Sequence, residues 1–251
     1  MEHSTRHTMI FTALLCVVFS VLVSTVAVGL KDRQDENVRL DRIKNVLGVA
    51  GLKTPDETLS PEEMVQRFDA GLTARIVELR SGDYVEGDAL SFNQQKAAKD
   101  PETSDGVAAN LAKVRRVPHQ AVVYTINDGG VVIPIEGYGL WGTLYGFIAL
   151  EGDGRTVKGI TYYTHKETPG LGGEVDNQRW KDRWPGRLAT DEKGAPALVV
   201  KKGQAGSPED DPYQVDGLSG ATITSRGVTN MLDFWLGRNG FGPYLAKYKQ
   251  Q

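Results

Sequence analysis

Between Met9 and Leu30 the chain runs for 22 residues without a charged side chain, and Lys31-Asp32-Arg33 follows at once. A helix of that length covers ~33 Å at 1.5 Å per residue, enough for the hydrocarbon core of a bilayer. A cleavable signal sequence would carry a shorter apolar core of ~7–15 residues and a small-x-small site, and only a poor match exists near Ala27. Cys16 follows Leu14-Leu15 rather than small residues, which argues against lipoprotein processing. The run is therefore assigned as one uncleaved transmembrane helix, 9–30, after a short N-terminus, 1–8. Charge does not orient it. Arg6 precedes the run, whereas Lys31, Arg33, Arg39, Arg42 and Lys44 follow it, and the positive-inside rule loses force ahead of a long domain.

From Asp35 to Val49 an apolar stripe of Leu40, Ile43 and Leu47 predicts that the helix continues beyond the membrane. Ser60-Pro61-Glu62-Glu63 is a helix start, with Ser60 as N-cap, Pro61 at N1 and Glu63 closing a capping box. Met64, Phe68 and Leu72 would then face a core. Ser81 to Pro118 is polar, with Lys96 to Asp105 reading as a surface loop. Residues 31–118 are accordingly taken as a juxtamembrane helical and loop region packed on the following domain.

Beyond it the period changes to two. Ala121–Ile126 and Val131–Ile135 read as strands about the turn Asn127-Asp128-Gly129-Gly130, and Leu144–Leu150 and Thr156–Thr164 as another pair about Glu151–Gly154. Ala197–Lys201 is a short further strand. Glu174–Trp184 reads as a helix ended before Pro185-Gly186, and Val228, Met231, Leu232 and Trp235 recur at i, i+3, i+4, i+7 in the last helix. Residues 119–245 form the predicted domain core and 246–251 a tail. No internal repeat is present. The expected class is α+β: a single transmembrane helix, then one domain with a mainly antiparallel sheet flanked by helices.

Composition narrows the function. A net charge of −3 and a pI of about 5.9 offer no surface for a polyanion, so nucleic acid is not an expected partner. With Cys16 as the one cysteine, the chain cannot build an internal disulfide, an iron–sulfur cluster or a cysteine zinc site. No second histidine or acidic cluster near His165 suggests a metal. Ser219 does not lie in Gly-x-Ser-x-Gly and pairs with no evident base. No P-loop or nicotinamide fingerprint occurs. No catalytic residue and no metal ligand is therefore assigned.

Three segments carry candidate chemistry. Asp216-Gly217-Leu218-Ser219-Gly220-Ala221-Thr222 runs into the last helix, and a Gly-rich turn at a helix start gathers unpaired N–H groups that suit a phosphate. Gly137-Tyr138-Gly139-Leu140-Trp141-Gly142 is dense in glycine and aromatics; taken alone it is a bulged turn. His165-Lys166-Glu167-Thr168-Pro169-Gly170-Leu171-Gly172 contains a turn at Pro-Gly.

Together, and in this order, the three resemble the FMN-binding domain family. The first string matches that family's Asp-x-x-Ser/Thr-Gly-Ala-Thr flavinylation motif at Asp216, Ser219, Gly220, Ala221 and Thr222. The resemblance implies that a dedicated flavin transferase links FMN through its phosphate to Thr222, with Thr224 outside the match. It also implies that Leu140, Trp141, Glu167, Thr168 and Leu171 line the flavin pocket, with the role of His165 open. The anchor, the Leu40–Leu47 run and the terminal Phe234–Pro243 run are similar to the single-span FMN subunits of bacterial Na+-translocating NADH:quinone reductases. That resemblance implies an inner-membrane protein with its FMN domain on the periplasmic side and partner subunits lettered A, B, D, E and F. Its role would be to pass electrons from an iron–sulfur centre to a second covalent FMN on B, in ubiquinone reduction coupled to Na+ export. Two other readings stand beside it: the G subunit of an Rnf-type ferredoxin:NAD oxidoreductase, and an anchored extracytoplasmic binding module without flavin.

Overall fold

The computed structural model describes residues 4–248. These fall into two compact units, one ending at Asp41 and the other beginning at Arg42. Helix α1, Thr5–Val49, runs through the boundary. In the first unit its apolar side chains are exposed, Phe11, Leu14, Val18 and Leu22 among them, and it is long and apolar enough to cross a membrane. Residues 1–3 of the expected N-terminus, and 249–251 of the expected tail, lie outside the described residues.

The second unit opens with the last turns of α1, where Ile43, Val46, Leu47 and Val49 are buried. Helix α2, Pro61–Gly71, starts as its sequence predicts: Ser60 Oγ accepts from the Glu63 N–H and the Glu63 carboxylate accepts from the Ser60 N–H. Strands β1 (Leu72–Glu78) and β2 (Tyr84–Val85) follow, then helix α3 (Gln94–Lys99) and the small pair β3 (Ser104–Gly106) and β4 (Arg116–Pro118). The meander β5 (Gln120–Ile126), β6 (Val131–Tyr138), β7 (Thr143–Leu150) and β8 (Val157–Thr164) completes a six-stranded sheet in the order β2-β1-β5-β6-β7-β8, antiparallel at every step. A 3₁₀ turn, Gly172–Asp176, and helix α4, Gln178–Lys181, lead to the short parallel pair β9 (Val199–Val200) and β10 (Gln214–Val215). Helices α5, Thr222–Leu236, and α6, Gly242–Tyr248, close the chain.

Both faces of the sheet are covered, so period-two alternation sorts the strand residues between two cores. Val123, Ile133, Ile135, Leu144 and Ile148 pack with Val228, Met231, Leu232 and Trp235 of α5. Val122, Tyr124, Val132 and Phe147 pack with Val46 and Leu47 of α1 and Phe68 of α2. Helix α5 lies hard against β6, an interior strand. A Cβ on Gly227 would sit 2.4 Å from the Tyr138 carbonyl oxygen, so only glycine admits this approach. The indole of Trp235 donates to the Glu136 carbonyl at 2.6 Å and fixes the helix along its length.

The structure departs from sequence expectation in four places. Leu72 opens β1 rather than extending the helix, and β1 pairs with β5 from Leu72↔Ile126 to Glu78↔Gln120, so the sheet begins within 31–118. Lys96–Asp105 is not a plain loop: the Asn93 side chain accepts from the Lys96 N–H at 2.9 Å and caps α3. Glu174–Trp184 is not one helix, because Asn177 is extended (ψ 121°) and its side chain caps a fresh start. Residues 246–248 of the expected tail belong to α6.

Glu136, on the α1 side of β6, is a half-buried acid without a hydrogen-bond partner among the described residues. Burial pushes its carboxyl up to about 7, against a smaller opposing pull from Lys99. The folded state thus holds this proton more tightly than the unfolded chain, whose group titrates near the ordinary 4.5. Stability must then fall as pH rises from about 4.5 to about 7, by ~2–3 kcal/mol in all. Glu136→Gln is expected to abolish that slope and to be more stable than the natural chain at pH 8, as read from urea unfolding across this range.

Candidate functional site

The three sequence segments meet at the hairpin end of β6–β7. Gly139–Gly142 is the hairpin loop, closed by the Gly139 N–H on the Gly142 carbonyl at 2.8 Å. The 165–172 segment leaves the end of β8 and turns through Gly170 (φ +76°), with the Thr168 carbonyl accepting from Leu171 and Gly173. The 216–222 stretch leaves β10 and enters α5.

One carboxylate joins them. Glu167 is buried; its Oε1 accepts from the N–H groups of Leu140 and Trp141, each at 3.0 Å, and its Oε2 accepts from the Thr224 hydroxyl at 2.5 Å. Two glycines make room for it. A Cβ on Gly139 would lie 2.6 Å from Oε1, and one on Gly172 would lie 2.5 Å from Oε2. Glu167 therefore organises the loops rather than presenting its side chain to solvent. Thr168 and Leu171 are exposed beside it.

Thr222 and Thr224, two residues apart, have opposite situations. Thr224 is buried with its hydroxyl committed to Glu167. Thr222 is exposed at the first position of α5, and its hydroxyl has no partner among the described residues. Ala221 precedes it as N-cap and supplies no side-chain cap, and the first backbone hydrogen bond of the helix runs from Ser225 N–H to the Ala221 carbonyl. The N–H groups of Thr222, Ile223 and Thr224 are thus left open, at the positive end of a 15-residue helix. Gly220 takes φ +69°, and a Cβ there would lie 2.9 Å from a methyl of Leu171. Ser219 and Gly220 are exposed and Ala221 is buried.

Exposed apolar side chains surround this helix start: Leu140, Trp141 (62% exposed), Leu171 and Ile223. Four large apolar residues left in water around an open anion-binding helix end describe a site for a molecule with a flat apolar part and a phosphate. Asp216 lies deeper. Its Oδ1 accepts from the Ala205 N–H at 2.9 Å, its carbonyl accepts from the Trp180 indole at 2.8 Å, and Arg183 stands 3.9 Å away. It therefore staples the loop behind the start of α5. His165 pairs with Asp176 at 2.7 Å and accepts from the Glu167 N–H through Nδ1 at 3.2 Å, so it braces Glu167 from behind. Ile223, the Thr224 bond and the Asp176 partner are not found by sequence reasoning; the Gly-x-Gly and Gly-Leu-Gly patterns are the available signal for a group buried between loops.

The FMN-binding domain family matches residues 139–237, which covers the three segments from Gly139 onward. Over nearly its full length the chain is similar to the C subunit of the Na(+)-translocating NADH-quinone reductase of Yersinia pestis, 44% identical across 97% of this chain and 92% of the relative. The corresponding protein of Pseudomonas aeruginosa is 43% identical across 99% and 98%. The chain belongs to the NqrC family of the Na(+)-translocating NADH-quinone reductases. Its fold is that of the crystal structure of Shewanella oneidensis NqrC (TM-score 0.77, 32% identity, covering 85% of this chain and 98% of that one). The crystal structure of the Parabacteroides distasonis protein is also similar (TM-score 0.65, 29% identity, 88% and 98%). The chain is thus a flavoprotein subunit of a multisubunit oxidoreductase, and its N-terminal helix is suited to a single membrane span in such an assembly. The residues present fit FMN: Leu140, Trp141, Leu171 and Ile223 offer apolar cover to a ring, and the open N–H groups at Thr222 offer a phosphate its donors.

Glu167→Ala removes three hydrogen bonds and leaves two loop N–H groups without an acceptor, at a cost of ~2–4 kcal/mol. Glu167→Gln keeps Oε1 for Leu140 and Trp141 and can donate to Thr224 instead, so its loss should stay within ~1 kcal/mol. Thermal unfolding of the two variants side by side checks the difference.

Proposed function

We propose that this chain is the FMN-carrying electron-transfer subunit of its complex, with the flavin esterified through its phosphate to Thr222 by a flavin transferase. The observation that carries the reading is the contrast between two neighbouring hydroxyls: Thr222 exposed at the helix start, Thr224 buried and hydrogen-bonded. Phosphoester formation needs an accessible oxygen with room around it. Gly220 and Ala221 keep bulk away from Thr222, and the open N–H groups of 222–224 offset the charge of a phosphodiester placed there.

When bound, the flavin supplies the redox chemistry, since the chain has no group of its own that takes and releases electrons. The protein holds the ring between exposed apolar side chains and fixes the two loops through Glu167. Leu140, Trp141, Thr168 and Leu171 are the ring-side residues, with Glu167 holding their loops from behind, and Asp216, Ser219, Gly220 and Ala221 form the stretch the transferase reads. In the assembled enzyme this chain would take electrons from an iron–sulfur centre held by the D and E subunits, downstream of NADH entry at F. It would pass them to a second threonine-linked FMN on B, with A completing the complex, in ubiquinone reduction coupled to Na+ export. The domain would face the periplasm from a single inner-membrane span. The anchor contains no charged or carboxamide side chain between Met9 and Leu30, so it offers no lining for an ion path.

Expressed with the transferase and run denatured on a gel, the chain is expected to give a flavin-fluorescent band, and the Thr222→Leu variant a dark band from a folded protein. Peptide mass spectrometry placing the flavin on Thr224, or no flavin in the natural chain, contradicts the assignment.

A further inference from the structure

On the face of the β6–β7 ladder opposite α5, a cavity of about 710 Å³ opens beside α3. No residue assigned to the flavin lines it. Its floor holds Tyr138 and Glu136, the half-buried carboxylate without a hydrogen-bond partner among the described residues. Around it stand Lys99 of α3, Lys113 and Arg115 of the segment leading into β4, and Arg116 at the start of β4. Four cations thus share one cavity with one carboxylate, in a chain whose overall charge is negative.

Two of these cations are held in place. The Arg116 Nε donates to Ser104 Oγ at 2.8 Å and its Nη2 to the Ser104 and Pro101 carbonyls, which leaves Nη1 without a bond among the described residues. Lys113 has a positive φ of 57°, alone among the non-glycine residues described. The Asn110 side chain imposes this conformation by bonding both the N–H and the carbonyl of Val114, at 3.1 and 2.7 Å. The result places Lys113 Nζ 4.2 Å from the centroid of the Tyr138 ring. Backbone strain of this kind persists where the surroundings enforce it, commonly at binding sites. A carboxylate drawn into the protein without a donor calls for one from outside the chain. The volume lies within the ~300–1,000 Å³ typical of small-molecule sites.

We infer that this cavity is a second binding site, for a small organic anion that presents carboxylate or phosphate groups to Lys99, Lys113, Arg115 and Arg116 and a hydroxyl or N–H to Glu136. Binding is read by calorimetry on the full chain in detergent, at constant ionic strength, with citrate and inorganic phosphate as separate probes. Citrate, which carries both carboxylates and a hydroxyl, is expected to bind saturably at one site and more tightly than phosphate. The double variant Lys99→Gln, Lys113→Gln should weaken it by about tenfold or more, and Glu136→Gln, which removes the opposing charge, should tighten it by about threefold or more. Ala98→Phe, which fills the cavity without altering charge, should abolish binding while in-gel flavin fluorescence is unchanged. Circular dichroism confirms that each variant is folded; should Ala98→Phe not fold, the opposite signs of the charge variants decide alone. Absence of saturable citrate binding overturns the inference. So does phosphate binding as tightly as citrate, or citrate binding that survives Ala98→Phe.

Discussion

A single buried carboxylate ties together the three segments of the candidate site. Glu167 accepts from two consecutive backbone N–H groups of one loop and from a hydroxyl on a helix that begins beyond another. It is the one side chain that hydrogen-bonds the Leu140–Trp141 loop and the start of α5 from the 165–172 segment among the described residues. An anion surrounded by donors forms strong hydrogen bonds, and in a site closed to water these bonds resist distortion. Gly139 and Gly172 are the spatial condition for this arrangement, because any side chain at either position would occupy the volume of the carboxylate. His165, braced by Asp176, completes the support from behind.

The sheet supplies the frame. Covered on both faces, it is a middle layer whose strands cannot slip by one residue without exchanging the contents of two cores. Helix α5 is seated on it by Val228, Met231, Leu232 and Trp235 and approaches closely at Gly227. The position of Thr222 is thus set by packing contacts that begin at Gly227 and run along the helix to Trp235. The β6–β7 hairpin carries the Gly139–Gly142 loop at its tip and the cationic cavity along its side.

Much of this is legible in the sequence wherever the signal is local. The α2 capping box, the β5–β8 meander with its Gly-containing turns and the apolar stripe of α5 all follow from short-range pattern. Strand β1 is not legible, because Leu72 directly follows a helix and only pairing with β5, some fifty positions later, gives it its conformation. Helix α3 and strand β3 are too short and polar for periodicity to register. The acceptor stretch stands out through its match to a known motif, whereas the orientation of Glu167 rests on contacts with residues 140 and 224 and has no local signature. The cavity assembles from α3, the 112–116 segment and β6, so no single stretch announces it.

The separations in the Glu167 cluster also order events in time. Its bonds to the Leu140–Trp141 loop span 26 and 27 positions, whereas the bond to Thr224 spans 57 and needs α5 in place. A chain ending before residue 224 would keep the bonds from Leu140 and Trp141 to Glu167 and lack the one that ties them to α5. The difference between an available and an unavailable threonine is likewise a property of the finished fold, since both hydroxyls face water in the unfolded chain. On the proposed reading, flavin attachment would therefore depend on tertiary structure, because only the folded chain distinguishes Thr222 from Thr224.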